Sequence, residues 1–262
     1  MSEEAPRHGA SHGVIAPWWS LGYVIPHLYT DLDAYQFYRV APEGMLLVTT
    51  GLDLAEYSLP AVERELPVLM QRLDVLREKR VDRIALSGVP IASVLGRTRT
   101  LAMLDRMQQH SGIACDTDLE AHIAALRHMG AERIALATRW PDAVNAALVA
   151  YLAEAGIEVV SLCSRGRDLA QNKASSAAAD HELALELGAR ALEAAPHAQA
   201  LLLPGGLWFA IHAVEPIERT YGVPVLLNIL STTWAALDAA RAAGHRFTID
   251  PRWGRVLASL AN

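Results

Sequence analysis

Apolar and polar positions alternate along this chain in two rhythms. Short apolar runs that stop at Gly or Pro predict buried strands: Met45 to Thr50, Arg83 to Leu86, Arg133 to Thr138, Ile157 to Leu162, Ala200 to Leu203 and Gly222 to Leu227. Between them lie segments of helical period. Pro60 to about Arg80 puts Val62, Leu66, Leu69, Leu73 and Leu76 on one side, with Pro67 expected to kink that helix or restart it. Further helices are expected through Gln109, over Leu119 to Met129, Asp142 to Ala155, Ser176 to Ala195 and Thr232 to Ala243. Strands alternating with helices predict a parallel, doubly wound sheet.

The stretch Ala200-Leu201-Leu202-Leu203-Pro204-Gly205-Gly206 organises this pattern, because glycines after a buried strand let backbone amides approach a ligand. It has an earlier echo in Arg83-Ile84-Ala85-Leu86-Ser87-Gly88-Val89-Pro90. Each copy is followed by a helical segment, a glycine, a short strand and an amphipathic helix. The repeat predicts an α/β protein of two pseudo-symmetric parallel-sheet halves with the site in the cleft between them. The expected division is a loose leader over 1–12, a first half from 13–120 with 228–262, and a second half from 121–227.

Elsewhere the pattern is weaker. His12 to Pro17 is read as a first strand, leaving Trp18 and Trp19 just past its end where ligands bind in open α/β sheets. Leu21 to Gly44 is aromatic and irregular, and is read as a long loop with one short strand, a candidate lid. Beyond Gly88, a loop carrying Arg97 and Arg99 could hold a substrate carboxylate or simply begin a solvated helix. Asp118 is placed to cap the helix that follows it, while Asp116 is a candidate to face the cleft.

With 52% hydrophobic and 20% charged residues in 262, the chain can bury one large core or two smaller ones. A net charge of −6 gives no electrostatic footprint for nucleic acid, and no apolar stretch is long enough to cross a bilayer. With no apolar signal-peptide core in the first ten residues, a cytoplasmic location is the default. Cys115 and Cys163 make neither a disulfide framework nor a metal-ligand spacing, and both read as reduced, buried thiols.

The distributed motifs resemble a known family. Gly13-Val14-Ile15-Ala16-Pro17, Thr50-Gly51-Leu52-Asp53-Leu54, Leu86-Ser87-Gly88, Ala135-Leu136-Ala137-Thr138 with Asp142-Ala143-Val144-Asn145, Leu203-Pro204-Gly205-Gly206-Leu207 and Gly222-Val223-Pro224-Val225 occur in an order similar to the aspartate/glutamate racemase superfamily. Within it, the arylmalonate decarboxylase and maleate isomerase branch is nearest. The resemblance implies two α/β halves around one active site, with no metal or organic cofactor. It also implies a ligand that is a small carboxylate or carbonyl compound. Racemases of that superfamily use two opposed cysteines and the decarboxylases one, and the matching positions here are Gly88 and Pro204, which carry no thiol. The hydroxyl and tyrosine positions of the decarboxylases hold Val89, Pro90 and Trp140.

Substrate-binding candidates are therefore Pro17, Trp18, Gly88, Val89, Pro90, Trp140, Pro204, Gly205 and Gly206, with backbone amides at Val89, Gly205 and Gly206 offered to an oxyanion. For the displaced acid-base role the candidates are His212, Asp116 and Tyr57, followed by Tyr23, Asp53 and Glu56. No metal ligands are assigned. One reading is a cofactor-independent decarboxylase or isomerase working without the family cysteines. Its variant is a hydrolase with Asp116 or Glu56 activating water. The competing reading is a binding protein that kept the cleft and lost the chemistry, and a purely structural role is a third. The oligomeric state is left open.

Overall fold

The computed structural model describes residues 16–29 and 32–261. The first half runs β1 (Trp19–Ile25), α1 (Leu32–Val40), β2 (Met45–Gly51), α2 (Leu59–Glu78), β3 (Arg83–Leu86), α3 (Val89–Leu95), α4 (Arg97–Ser111), β4 (Cys115–Thr117) and α5 (Asp118–His128). The second continues with β5 (Arg133–Thr138), α6 (Asp142–Glu154), β6 (Glu158–Ser164), α7 (Leu169–Lys173), α8 (Ala177–Ala194), β7 (Ala200–Leu203), α9 (Val214–Tyr221), β8 (Val225–Leu227) and α10 (Asn228–Ala242). A last short helix, α11 (Arg255–Ala258), follows.

Each half holds a four-stranded parallel sheet, ordered β2-β1-β3-β4 and β6-β5-β7-β8. The orders match strand for strand, so the repeat seen in the sequence is a structural one. β3 and β7 are each four residues long and almost wholly buried, as expected of parallel strands covered on both faces. α10 packs on α5 and α1, tying the chain's return to the first half. Among the described residues, no helix is long and apolar enough to cross a membrane.

Several elements differ from the sequence reading. The first strand is Trp19–Ile25, not His12 to Pro17; residues 12–15, like the leader, lie outside the described residues, and Ala16 and Pro17 precede the strand. The segment 21–44 is this strand followed by the helix α1 rather than a long loop. Pro67 sits inside a continuous α2, on its exposed face, while Val62, Leu69, Leu73 and Leu76 hold the opposite face in the core. An exposed proline removes one backbone donor on the side where a helix bends outward toward water, so the helix survives. Val89 to Leu95 is helical, and Arg97 and Arg99 belong to α4, where they pair with Glu120 and Glu63. The cap of α5 is Thr117, whose Oγ1 accepts from Glu120 N at 3.1 Å, which frees Asp118 for another role.

Candidate functional site

The strands β3 and β7 end in turns that need glycine. Gly88 and Gly205 have φ of 107° and 133°, a region closed to most side chains. Each amide is held by a side chain at the start of the helix that follows the next strand. Gly88 N donates to Asp118 Oδ2 at 3.1 Å, and Gly205 N donates to Asn228 Oδ1 at 2.8 Å. This shared anchoring relates the two turns to each other. It also commits the Gly205 amide to protein, correcting its expected gift to an oxyanion.

Asp118 and Asn228 are bound to each other across the two halves, with Asn228 Nδ2 donating to Asp118 Oδ2 at 2.7 Å. One helical turn further, each helix reaches over to the other's first residue. Thr232 Oγ1 donates to Asp118 Oδ1 at 2.8 Å, and His122 Nε2 lies 2.9 Å from Asn228 Oδ1. Because Asn228 Oδ1 can only accept, the proton is assigned to His122 Nε2, leaving Nδ1 to accept from Ser231 Oγ at 2.8 Å. Burial pushes the pKa of the imidazole down to about 4, consistent with this neutral form. Ser87 Oγ and the Tyr23 hydroxyl complete the network on Asp118. Burial raises the Asp118 carboxyl, against hydrogen bonds from Thr232, Ser87, Gly88 and Tyr23 that pull it down.

Beside this lock lies a cleft of about 440 Å³, counting the space open to solvent. Ile25, Pro26, His27, Tyr29 and Asp33 line it from the end of β1 and the start of α1. Tyr57, Gly88 and Pro90 add the rest of the first half; Arg139, Trp140, Gly205, Gly206 and Leu207 form the facing wall. Trp140 is fixed because its carbonyl accepts from Asn145 Nδ2 at 2.9 Å and Ser164 Oγ at 2.6 Å. Arg139 is buried, pairs with Asp180 at 2.9 Å and lies over the Trp208 ring. Burial pushes the Tyr57 phenol up and holds the His27 imidazole down, to about 4. Among the described residues, no cluster of His, Cys, Asp and Glu is arranged to hold a metal ion.

Of the residues named from sequence, Tyr57, Gly88, Pro90, Trp140, Gly205 and Gly206 come together in this cleft. Val89 and Pro204 are buried beside it and are not among its lining residues. Pro17 and Trp18 precede β1, at the opposite end of the strand from the site; Trp18 stacks on Phe247. The cleft position foreseen for Pro17 is filled by Pro26, since the strand was placed too early. His212 is exposed beside Phe209 and Trp253, outside the cleft. Asp116 is turned to Arg83 at 3.0 Å, and Glu56 bonds Ser58. Asp53 is likewise exposed and outside the lining. Cys115 packs against the first half's core and Cys163 lies in β6, both half-buried rather than buried as expected, and neither thiol lines the cleft. Sequence reasoning missed His27, Asp33 and Arg139.

A family model described as arylmalonate decarboxylase matches residues 30–250. The chain belongs to the arylmalonate decarboxylase family. Within that family, arylmalonate decarboxylase from Bordetella bronchiseptica is 28% identical over 239 residues, covering 90% of this chain and 95% of the relative. A liganded crystal structure of an arylmalonate decarboxylase variant, with one glycine changed to cysteine and one cysteine to serine, aligns with a TM-score of 0.81. It is 26% identical and covers 91% of this chain and 98% of that one. A maleate cis-trans isomerase from Nocardia farcinica, a cysteine-to-serine variant with a covalently bound succinylcysteine intermediate, aligns with a TM-score of 0.78. At 17% identity, over 91% of this chain and 98% of that one, it is a likeness of fold alone. The family and the two-sheet architecture are those expected from the sequence motifs.

Proposed function

We propose that this protein is a cofactor-independent enzyme acting on a small carboxylate or carbonyl compound, an arylmalonate decarboxylase-like lyase whose chemistry uses no cysteine. One observation carries the reading: in a chain of this decarboxylase family, both halves deliver their strand-end glycine turns to one cleft whose lining contains no thiol. Decarboxylation suits such a site because the bond to the departing carboxylate can break without a base. Its electron pair passes into the remaining carboxyl or carbonyl group as an enediolate or enolate, and carbon dioxide leaves.

The lining residues supply what that step needs. Ile25, Trp140 and Leu207 offer apolar surface to a flat substituent, and exclusion of water strengthens each polar contact. The Tyr57 phenol, kept protonated by its raised pKa, is a hydrogen-bond donor for the charge that develops on oxygen. Arg139 is the cation of the lining, its charge partly offset by Asp180.

The absence of a cleft thiol also favours a second reading, a binding protein without turnover. Incubating purified protein with phenylmalonate, 2-methyl-2-phenylmalonate and maleate separates them. Product seen by proton NMR supports the enzyme. A ligand that raises the melting temperature and is recovered unchanged supports the binder.

A further inference from the structure

The cleft lining includes three ionisable side chains that no sequence pattern pointed to, His27, Asp33 and Arg139, and Asp33 is built into the junction between the halves. Asp33 stands in the first turn of α1, almost wholly buried at 6% exposure, and lines the cleft. Its carboxylate crosses to the second half. A Cβ placed on Gly206 would lie 2.7 Å from Asp33 Oδ2 and 3.3 Å from Ser87 Oγ. Gly206 therefore lacks a side chain where the Asp33 carboxylate already stands. The helix that carries it is also held in place. Gln36, one turn later on the same helix, accepts from Ala210 N at 3.2 Å and Ile211 N at 3.1 Å, and donates to Trp208 O at 3.3 Å. These bonds fasten α1 to the loop that carries the Gly205-Gly206 turn, so Asp33 and the turn move as one body.

The other proton-carrying groups of the lining fit the role less well. Arg139 is locked to Asp180. Tyr29 is 68% exposed at the rim. Tyr57, its phenol pushed up by burial, is a weaker acid than a carboxyl group. His27, held neutral by burial, would have to give up its last proton to act as an acid.

Resting on the proposed decarboxylase reading, we propose that Asp33 is the catalytic acid that delivers the proton to the substrate carbon from the Gly205-Gly206 side of the cleft, in place of a thiol. For 2-methyl-2-phenylmalonate, the bond from C2 to one carboxylate breaks and carbon dioxide leaves. The electron pair is held as the enediolate of the remaining carboxylate. The proton of the Asp33 carboxylic acid then moves to C2, giving 2-phenylpropanoate, and the Asp33 carboxylate regains a proton from water. A donor fixed on one wall protonates one face, so the product has one handedness.

Asp33→Asn tests this with a rate and a stereochemical readout, using 2-methyl-2-phenylmalonate as the probe. The wild type is expected to give predominantly one enantiomer. Asp33→Asn is expected to lose about 100-fold or more in rate, the usual range for a general acid, and to give near-racemic residual product through protonation by water. Asp33→Glu, which keeps the carboxyl group, is expected to be slower but to retain handedness, and it decides the matter if the asparagine variant does not fold. Rate or handedness unchanged in Asp33→Asn, a racemic product from wild type, or a racemic product from folded Asp33→Glu overturns Asp33 alone. No turnover by wild type removes the decarboxylase reading and the acid with it.

Discussion

Replacing Asn228 by alanine removes the centre of the lock between the halves. The side chain is 2% exposed and makes three polar contacts: from Gly205 N at 2.8 Å, with His122 Nε2 at 2.9 Å, and to Asp118 Oδ2 at 2.7 Å. The variant orphans the Gly205 amide and the His122 N–H, each costing about 1–3 kcal/mol when buried without a partner. Asp118 loses one donor but keeps Tyr23, Ser87, Gly88 and Thr232. The sum is about 4 kcal/mol, a large share of the roughly 5–15 kcal/mol that holds a typical protein together. For a chain of this size that is a fall in melting temperature of roughly 8–16 °C, read by calorimetry at pH 7.5. Asn228→Asp is the control of the same shape. Its new carboxylate faces Asp118, raising the pKa of the pair, so this variant loses stability as pH rises through that raised value. A melting temperature for Asn228→Ala within about 2 °C of the parent, inside the scatter of surface substitutions, refutes the lock.

Other consequences follow from the same geometry. Arg139→Met leaves Asp180 buried with its cationic partner gone and is expected to cost about 3–5 kcal/mol in urea unfolding, whereas a loss under 1 kcal/mol contradicts a buried pair. Acidification should destabilise the parent: His27 and His122 have folded pKa values of about 4 against 6.5 when free. Their contribution is complete above about pH 6.5 and is lost as pH falls toward 4, by roughly 3 kcal/mol per histidine, so a His122→Asn variant should show a shallower acid slope. Gly206→Ala forces its new methyl against the Asp33 carboxylate, and is expected to cost about 1–3 kcal/mol, checked by thermal melting.

Much of the fold was legible because its strands are continuous apolar runs ended by Gly or Pro, as at Leu203-Pro204 and Leu86-Ser87-Gly88. The first strand was misplaced because His12 to Pro17 imitates that form, while the true strand hides Gly22 and Tyr23 within it. α1 was missed for a physical reason. Its buried positions, Asp33, Gln36, Phe37 and Val40, have helical spacing, but two of the four are polar, so an apolar scan sees only aromatics. The same two polar residues are those that tie α1 to the cleft. The wall made by Gly88, Pro90, Trp140, Gly205 and Gly206 could be found from motif ends. Asp33 and Arg139 could not, since their partners, Gly206 and Asp180, are distant in sequence and meet only in the folded chain.

Changing both Cys115 and Cys163 to serine tests the thiol-free cleft most directly. With 2-methyl-2-phenylmalonate as substrate and carbon dioxide release as the signal, the double variant should keep a kcat/KM within about twofold of the parent, since neither sulfur is positioned to reach the ligand. Loss of turnover in a double variant that still melts like the parent would contradict a cleft that works without sulfur.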